Sequence, residues 1–95
     1  MFAVVGRWSL APDLADEQRD GLHEIVSGVR QAPGFVRGYW SHDTQDPTLH
    51  ITFIVFEQEH HAAAFLDAVK ANAPAQAESG VARDELLLVE VQADA

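Results

Sequence analysis

Apolar positions recur along this chain with two periods, one suited to strands and one to helices. Phe2 to Leu10, FAVVGRWSL, is apolar with β-branched members and predicts a strand. Ala11-Pro12-Asp13 follows. A proline near a helix start and acids at positions 13, 16 and 17 suit the positive end of a helix dipole. Leu14, Leu22, Ile25, Val26 and Val29 then recur at helical spacing. Pro33-Gly34 ends that helix, because proline displaces its predecessor from the helical region and glycine accepts a left-handed turn. Phe35 to His42 predicts a second strand, Asp43 to Thr48 a polar turn, and Leu49 to Glu57 a third strand. Glu59 to Asn72 predicts a second helix with Ala62, Phe65, Leu66, Val69 and Ala73 on one face. Pro74 ends it and opens a short extension through Ser79, closed by Gly80. Glu85 to Gln92, ELLLVEVQ, predicts a fourth strand.

The order β-α-β-β-α-β predicts one α+β domain over residues 1–95. It is a ferredoxin-like four-stranded antiparallel sheet with both helices on one face. A turn centred between Gln45 and Asp46 pairs Ser41 with His50, Tyr39 with Thr52, Arg37 with Ile54 and Phe35 with Phe56. Those residues would share the face under the helices. Val36, Gly38, Trp40, His42, Leu49, Ile51, Phe53 and Val55 would share the other. That second face is nearly all apolar, which predicts a homodimer through Trp40, Ile51, Phe53 and Val55. Gly21, Ile25, Gly28 and Ala32 lie along one strip of the first helix. Interior glycines cost roughly 1 kcal/mol each relative to alanine. They mark either close helix–sheet packing or room for a ligand.

Charge narrows the partners. Fifteen acids against six bases give a net charge of −9. That argues against nucleic-acid backbones and anionic membranes. The absence of cysteine removes disulfides and thiolate chemistry. MFAVVGRWSL lacks the basic start and long apolar middle of a signal peptide, and no apolar run reaches transmembrane length, so the expected location is the cytoplasm.

The Pro-Gly-Phe at Pro33-Gly34-Phe35 opens strand two, and FEQEHHAAAFLDAV leads into helix two. With the element order, they resemble the antibiotic biosynthesis monooxygenase family over nearly the whole chain. The resemblance implies a dimeric α+β barrel, with two sheets packed across a two-fold axis and a cavity in each subunit between helices and sheet. Some members oxidise aromatic polyketide-like molecules with dioxygen and neither metal nor flavin. By that likeness no cofactor is expected. Related members degrade haem, but here Phe65 stands near the position of a family histidine and Gly6 near that of an asparagine. Those departures argue against haem degradation. Phe56 stands where the family often has tryptophan. The alignment also turns Phe2, Val4, Gly6 and Trp8 toward the helices.

Candidate chemistry follows from the helix-side set. A neutral His50 can take a proton from a phenol near neutral pH. Tyr39 and Arg37 could bind a developing oxyanion. Trp8, Phe35 and Phe56 could stack on an aromatic ligand, with Thr52, Gly21 and Gly28 completing the pocket. The bland alternative is a rim of satisfied polar side chains, with Arg37 paired to an acid. His60-His61 point about 100° apart on a helix and suit a solvated first turn better than a metal, and no metal site is expected. His23 reads as exposed, and His42 with Asp43 as a turn or dimer-contact pair. The leading expectation is therefore an oxygenase on an aromatic or polyketide-type small molecule. The alternatives are a non-catalytic small-molecule binder and a structural dimer with a filled core.

Overall fold

A computed structural model describes residues 1–78 and 80–94, with side chains omitted at 14–19 and 76–78. The expectations for the side chains of Leu14, Asp16 and Glu17, and for Ser79, lie outside the described residues. The strands are β1 (Phe2–Leu10), β2 (Phe35–His42), β3 (Leu49–Phe56) and β4 (Val81–Glu90). The helices are α1 (Ala15–Arg30), α2 (Glu59–Ala71) and the short α3 (Ala73–Glu78). A 3-10 turn over Pro12–Leu14 leads into α1, where proline's fixed φ is tolerated.

The sheet has four strands in the order β2-β3-β1-β4, with antiparallel pairing throughout. This is the expected ferredoxin-like arrangement. β4 begins at Val81, four residues before the apolar run that announced it. Its start is held by the ladder, where Val81, Ala82 and Arg83 pair with Leu10, Ser9 and Trp8. The register then shifts between Arg7 and Trp8. Asp84 lies at that irregularity and accepts a hydrogen bond from the Ser9 hydroxyl at 2.6 Å.

The closed core lies at one end of the helix–sheet layer. Val4, Ile54, Phe56 and Ala62 are buried there, with Phe35, Phe65, Leu66 and Leu88 packed around them. Phe56 meets Phe35 edge-on at 6.4 Å and Phe65 tilted at 5.2 Å, within the range of favourable aromatic contacts.

Gly34 enters β2 at φ +78°, where only glycine sits without strain, and the His61 ring lies where a Cβ would project. Gly34→Ala should therefore lower stability by roughly 1–3 kcal/mol. Thermal denaturation checks this, and an unchanged midpoint would mean that the turn relaxes freely.

The hairpin register corrects the sequence-based pairing by one residue. His42 pairs with His50, Trp40 with Thr52, Gly38 with Ile54, and Tyr39 with Phe53. The turn is thus centred on Asp46. The Asp43 carboxylate accepts the backbone N–H groups of Gln45 and Asp46 at 2.7 and 3.0 Å, and Leu49 N–H donates to the Asp46 carbonyl. A one-residue slip turns a strand over. β3 keeps its expected orientation, and β2 reverses. The reversal stops at a second irregularity: Phe35 still pairs with Phe56, and Arg37 pairs with Val55. Val36 is the extra residue, so Phe35 stays under the helices.

The face away from the helices carries Val5, Phe53 and Tyr39 across one rung, continued by Leu87, and Arg7, Ile51 and Ser41 across the next. Tyr39, Ile51 and Leu87 are 59%, 41% and 45% exposed. Trp40 and His42 do not belong to this face, contrary to expectation.

Candidate functional site between the helices and the sheet

Beyond the closed core, α1 stands off the sheet. Its apolar residues Leu22, Ile25 and Val29 look onto a cavity of about 660 Å³, and Val29, at the closed end, also packs against the core. Ile25 remains 45% exposed, so solvent reaches the cavity along this helix. Gly21 and Gly28 have open space where a Cβ would be and do not line the cavity. Of that strip only Ile25 faces the cavity, and the two glycines are not ligand-facing. The floor is Val4 and Trp8 from β1, Trp40 and His42 from β2, and His50, Thr52 and Ile54 from β3. From α2 come Phe65, Ala68, Val69 and Asn72. A volume of a few hundred cubic ångströms with mostly apolar walls and a few polar groups suits a small molecule.

Two tryptophans dominate the floor, and each depends on a glycine two residues earlier. A Cβ on Gly6 would lie 2.5 Å from Trp8 Nε1, and one on Gly38 would lie 2.9 Å from the Trp40 ring. Residues two apart in a strand share a face, so each glycine leaves space for the indole that leans over it. The sequence carries this as a repeated Gly-x-Trp, GRW at 6–8 and GYW at 38–40. That signal could have placed Trp40, and with it His42, in the cavity.

The polar groups gather at the hairpin end. Trp8 Nε1 donates to Thr52 Oγ1 at 3.1 Å. His42 and His50 face each other across the hairpin with ring centroids 6.0 Å apart and a tilt of 41°. His50 Nε2 lies 3.1 Å from the Pro47 carbonyl. A carbonyl can only accept, so the neutral ring carries its proton on Nε2 and its lone pair on Nδ1. Pro47 is held by its neighbours. Thr48 donates from its hydroxyl and its backbone N–H to Asp46 Oδ1, and the Thr48 carbonyl accepts from Leu10 N–H. Those two bonds from Thr48, the hydroxyl's first, hold the Asp46 carboxyl below the ordinary aspartate value.

Of the sequence-predicted site residues, Trp8, His50 and Thr52 meet in the cavity. Phe35 and Phe56 lie in the closed core beside it and line none of it, because the aromatic cluster with Phe65 fills that end. Arg37 and Tyr39 are on the opposite face of the sheet, where the corrected register puts them. They cannot act with His50 on one ligand. Ser41 is near the cavity, and its hydroxyl is already donated to the Ile51 carbonyl at 2.7 Å. Among the described residues no cluster of three or more metal-ligating side chains occurs. No described helix is long and apolar enough to cross a membrane.

This architecture has close structural parallels. A candidate antibiotic biosynthesis monooxygenase from Deinococcus radiodurans superposes with a TM-score of 0.81 at 18% identity, covering 100% of this chain and 96% of its own. A variant of SnoaB, a cofactor-independent oxygenase from Streptomyces nogalater, superposes with a TM-score of 0.77 at 15% identity, covering 98% and 94%. A variant of MhuD with two manganese protoporphyrin IX bound per active site gives a TM-score of 0.76 at 16% identity, covering 100% and 98%. At such identities these likenesses speak to the fold alone. No curated protein sequence matches the chain. The sequence profile of the antibiotic biosynthesis monooxygenase family matches residues 1–68, more than half of the 95, and the chain belongs to that family.

Proposed function

We propose that this protein oxidises an aromatic or polyketide-type small molecule with dioxygen and needs no cofactor. The observation that carries the reading is the unfilled space under α1, floored by two indoles and ended by His50. Flat aromatic walls favour a flat aromatic ligand. The His50 lone pair on Nδ1 would take a proton from an acidic phenol or from a methylene beside a carbonyl. The resulting anion is electron-rich enough to reduce dioxygen directly. Oxidising a ring methylene to a carbonyl releases four electrons, which reduce dioxygen to the new carbonyl oxygen and one water, so no external reductant is needed. Family membership and the likeness to SnoaB support this chemistry. For haem there is no comparable support from α2, which offers Phe65, Ala68, Val69 and Asn72 to the cavity.

The test is oxygen uptake with a panel of fused-ring phenolic ketones. The wild type should consume one dioxygen per product. His50→Ala should lower turnover about 10²–10⁴-fold, the usual contribution of a positioned general base. Its thermal midpoint should stay nearly unchanged, because His50 is only partly buried. Saturable ligand binding without oxygen uptake would identify a non-catalytic binder instead.

A homodimer through the outer sheet face is the second part of the proposal. Ile51 and Phe53 remain in the set, Val5 and Leu87 join them, Trp40 leaves it, and Val55 shares the face but is already covered within the chain.

A further inference from the structure

An indole N–H can only donate, so in the Trp8–Thr52 bond the Thr52 oxygen accepts and its own proton is left to find another partner. No described residue accepts it. The surrounding floor, Val4, Ile54 and Trp40, offers no side-chain oxygen. Accepting from the indole also polarises the hydroxyl and makes it a better donor. The indole is held in this pose by Gly6, where any Cβ would fall 2.5 Å from Trp8 Nε1 and 2.9 Å from Thr52 Oγ1.

We propose that Gly6, Trp8 and Thr52 form a relay whose terminal Thr52 hydroxyl donates to an acceptor oxygen on the ligand, and that this contact selects ring ketones and phenolates over the corresponding hydrocarbons. A site built to hydrogen-bond one group discriminates against an analogue lacking it, because the protein's donor is then buried without a partner. The inference rests on the cavity being a small-molecule site, and not on oxygenation or on His50.

The probes are 9-fluorenone and fluorene, planar tricycles that differ by a carbonyl oxygen in place of two hydrogens. Fluorenone has no methylene to oxidise, so its binding is independent of turnover. Affinities are measured by equilibrium dialysis under anaerobic conditions, and the readout is the ratio of the fluorene to the fluorenone dissociation constant. Comparing ratios between proteins cancels the different hydrophobicity of the two probes. Thr52→Val keeps the shape and removes the hydroxyl, and the ratio should fall about three- to tenfold, the usual range for one neutral hydrogen bond. Thr52→Ser should restore it. Trp8→Phe and Gly6→Ala should each lower it partway, the first by removing the N–H and the second by displacing the indole. A ratio unchanged in Thr52→Val, or no saturable binding of fluorenone to the wild type, overturns the proposal. A ratio unchanged in Trp8→Phe overturns the part assigned to the indole. No oxygen uptake by the wild type with an intact ratio would refute the oxygenase reading and leave this one standing.

Discussion

Phe56→Ala should come close to unfolding the protein. Phe56 is fully buried, and it joins the β3 end of the sheet to Phe35 of β2 and Phe65 of α2. Truncating a buried phenylalanine costs about 3–5 kcal/mol, through lost transfer energy and the cavity left behind. Small domains have only about 5–15 kcal/mol in total. For a chain of this length each kilocalorie moves the thermal midpoint by roughly 4–8 °C, so a fall of at least about 12 °C is expected. Urea titration followed by far-ultraviolet circular dichroism gives the same quantity independently. Phe56→Leu, which keeps most of the volume, should lose far less. A small effect of the alanine variant would mean that the ligand cavity extends into this end and that the aromatic cluster is not a closed core. The separation between core and site would then fail, and with it the exclusion of Phe35 and Phe56 from ligand contact.

Leu87→Glu should dissociate the proposed dimer while leaving the fold intact. Leu87 is 45% exposed in the single chain, so a charge there meets water and costs little. In a dimer packed through the outer face the same position would be covered. Each fully buried large apolar side chain contributes about 1.5–3 kcal/mol, and a glutamate forfeits that and adds an uncompensated charge. Both protomers carry the change, so a loss of at least about 3 kcal/mol weakens association by roughly 150-fold or more. Sedimentation velocity across a concentration series should show a dimer for the wild type and a monomer for the variant, with matching circular dichroism. A wild type that is monomeric at tens of micromolar would sink the proposal, and the 59% exposed Tyr39 and 41% exposed Ile51 would then need another explanation. Leu87 suits this test better than Phe53, which is less exposed and whose replacement would perturb the chain itself.

The element order, most strand limits and the helix-facing side of β1 and β3 were legible in the sequence. Each depends on local information, namely apolar periodicity, Pro33-Gly34 as a stop, and a family likeness that reaches along the chain. His50, Thr52 and Trp8 were accordingly placed on the correct face. The side assigned to β2 was not legible in the apolar pattern, only in the repeated Gly-x-Trp, since that pattern leaves open whether the hairpin is centred between residues 45 and 46 or on Asp46. That choice is made by two aspartate carboxylates gathering nearby donors in the turn, and the strand residues are apolar enough to tolerate either answer. Arg37 and Tyr39 left the site and Trp40 and His42 entered it through that single residue of register. The Val36 irregularity then returned Phe35 to the helix side, a correction that pattern reading has no means to foresee. Sequence alone settled which elements form and in what order, because those preferences are carried by neighbouring residues. Only the tertiary structure decided which side chains share a cavity, because period-two strands convert one residue of slip into a change of face, and because the gap between α1 and the sheet is set by how far two elements stand apart.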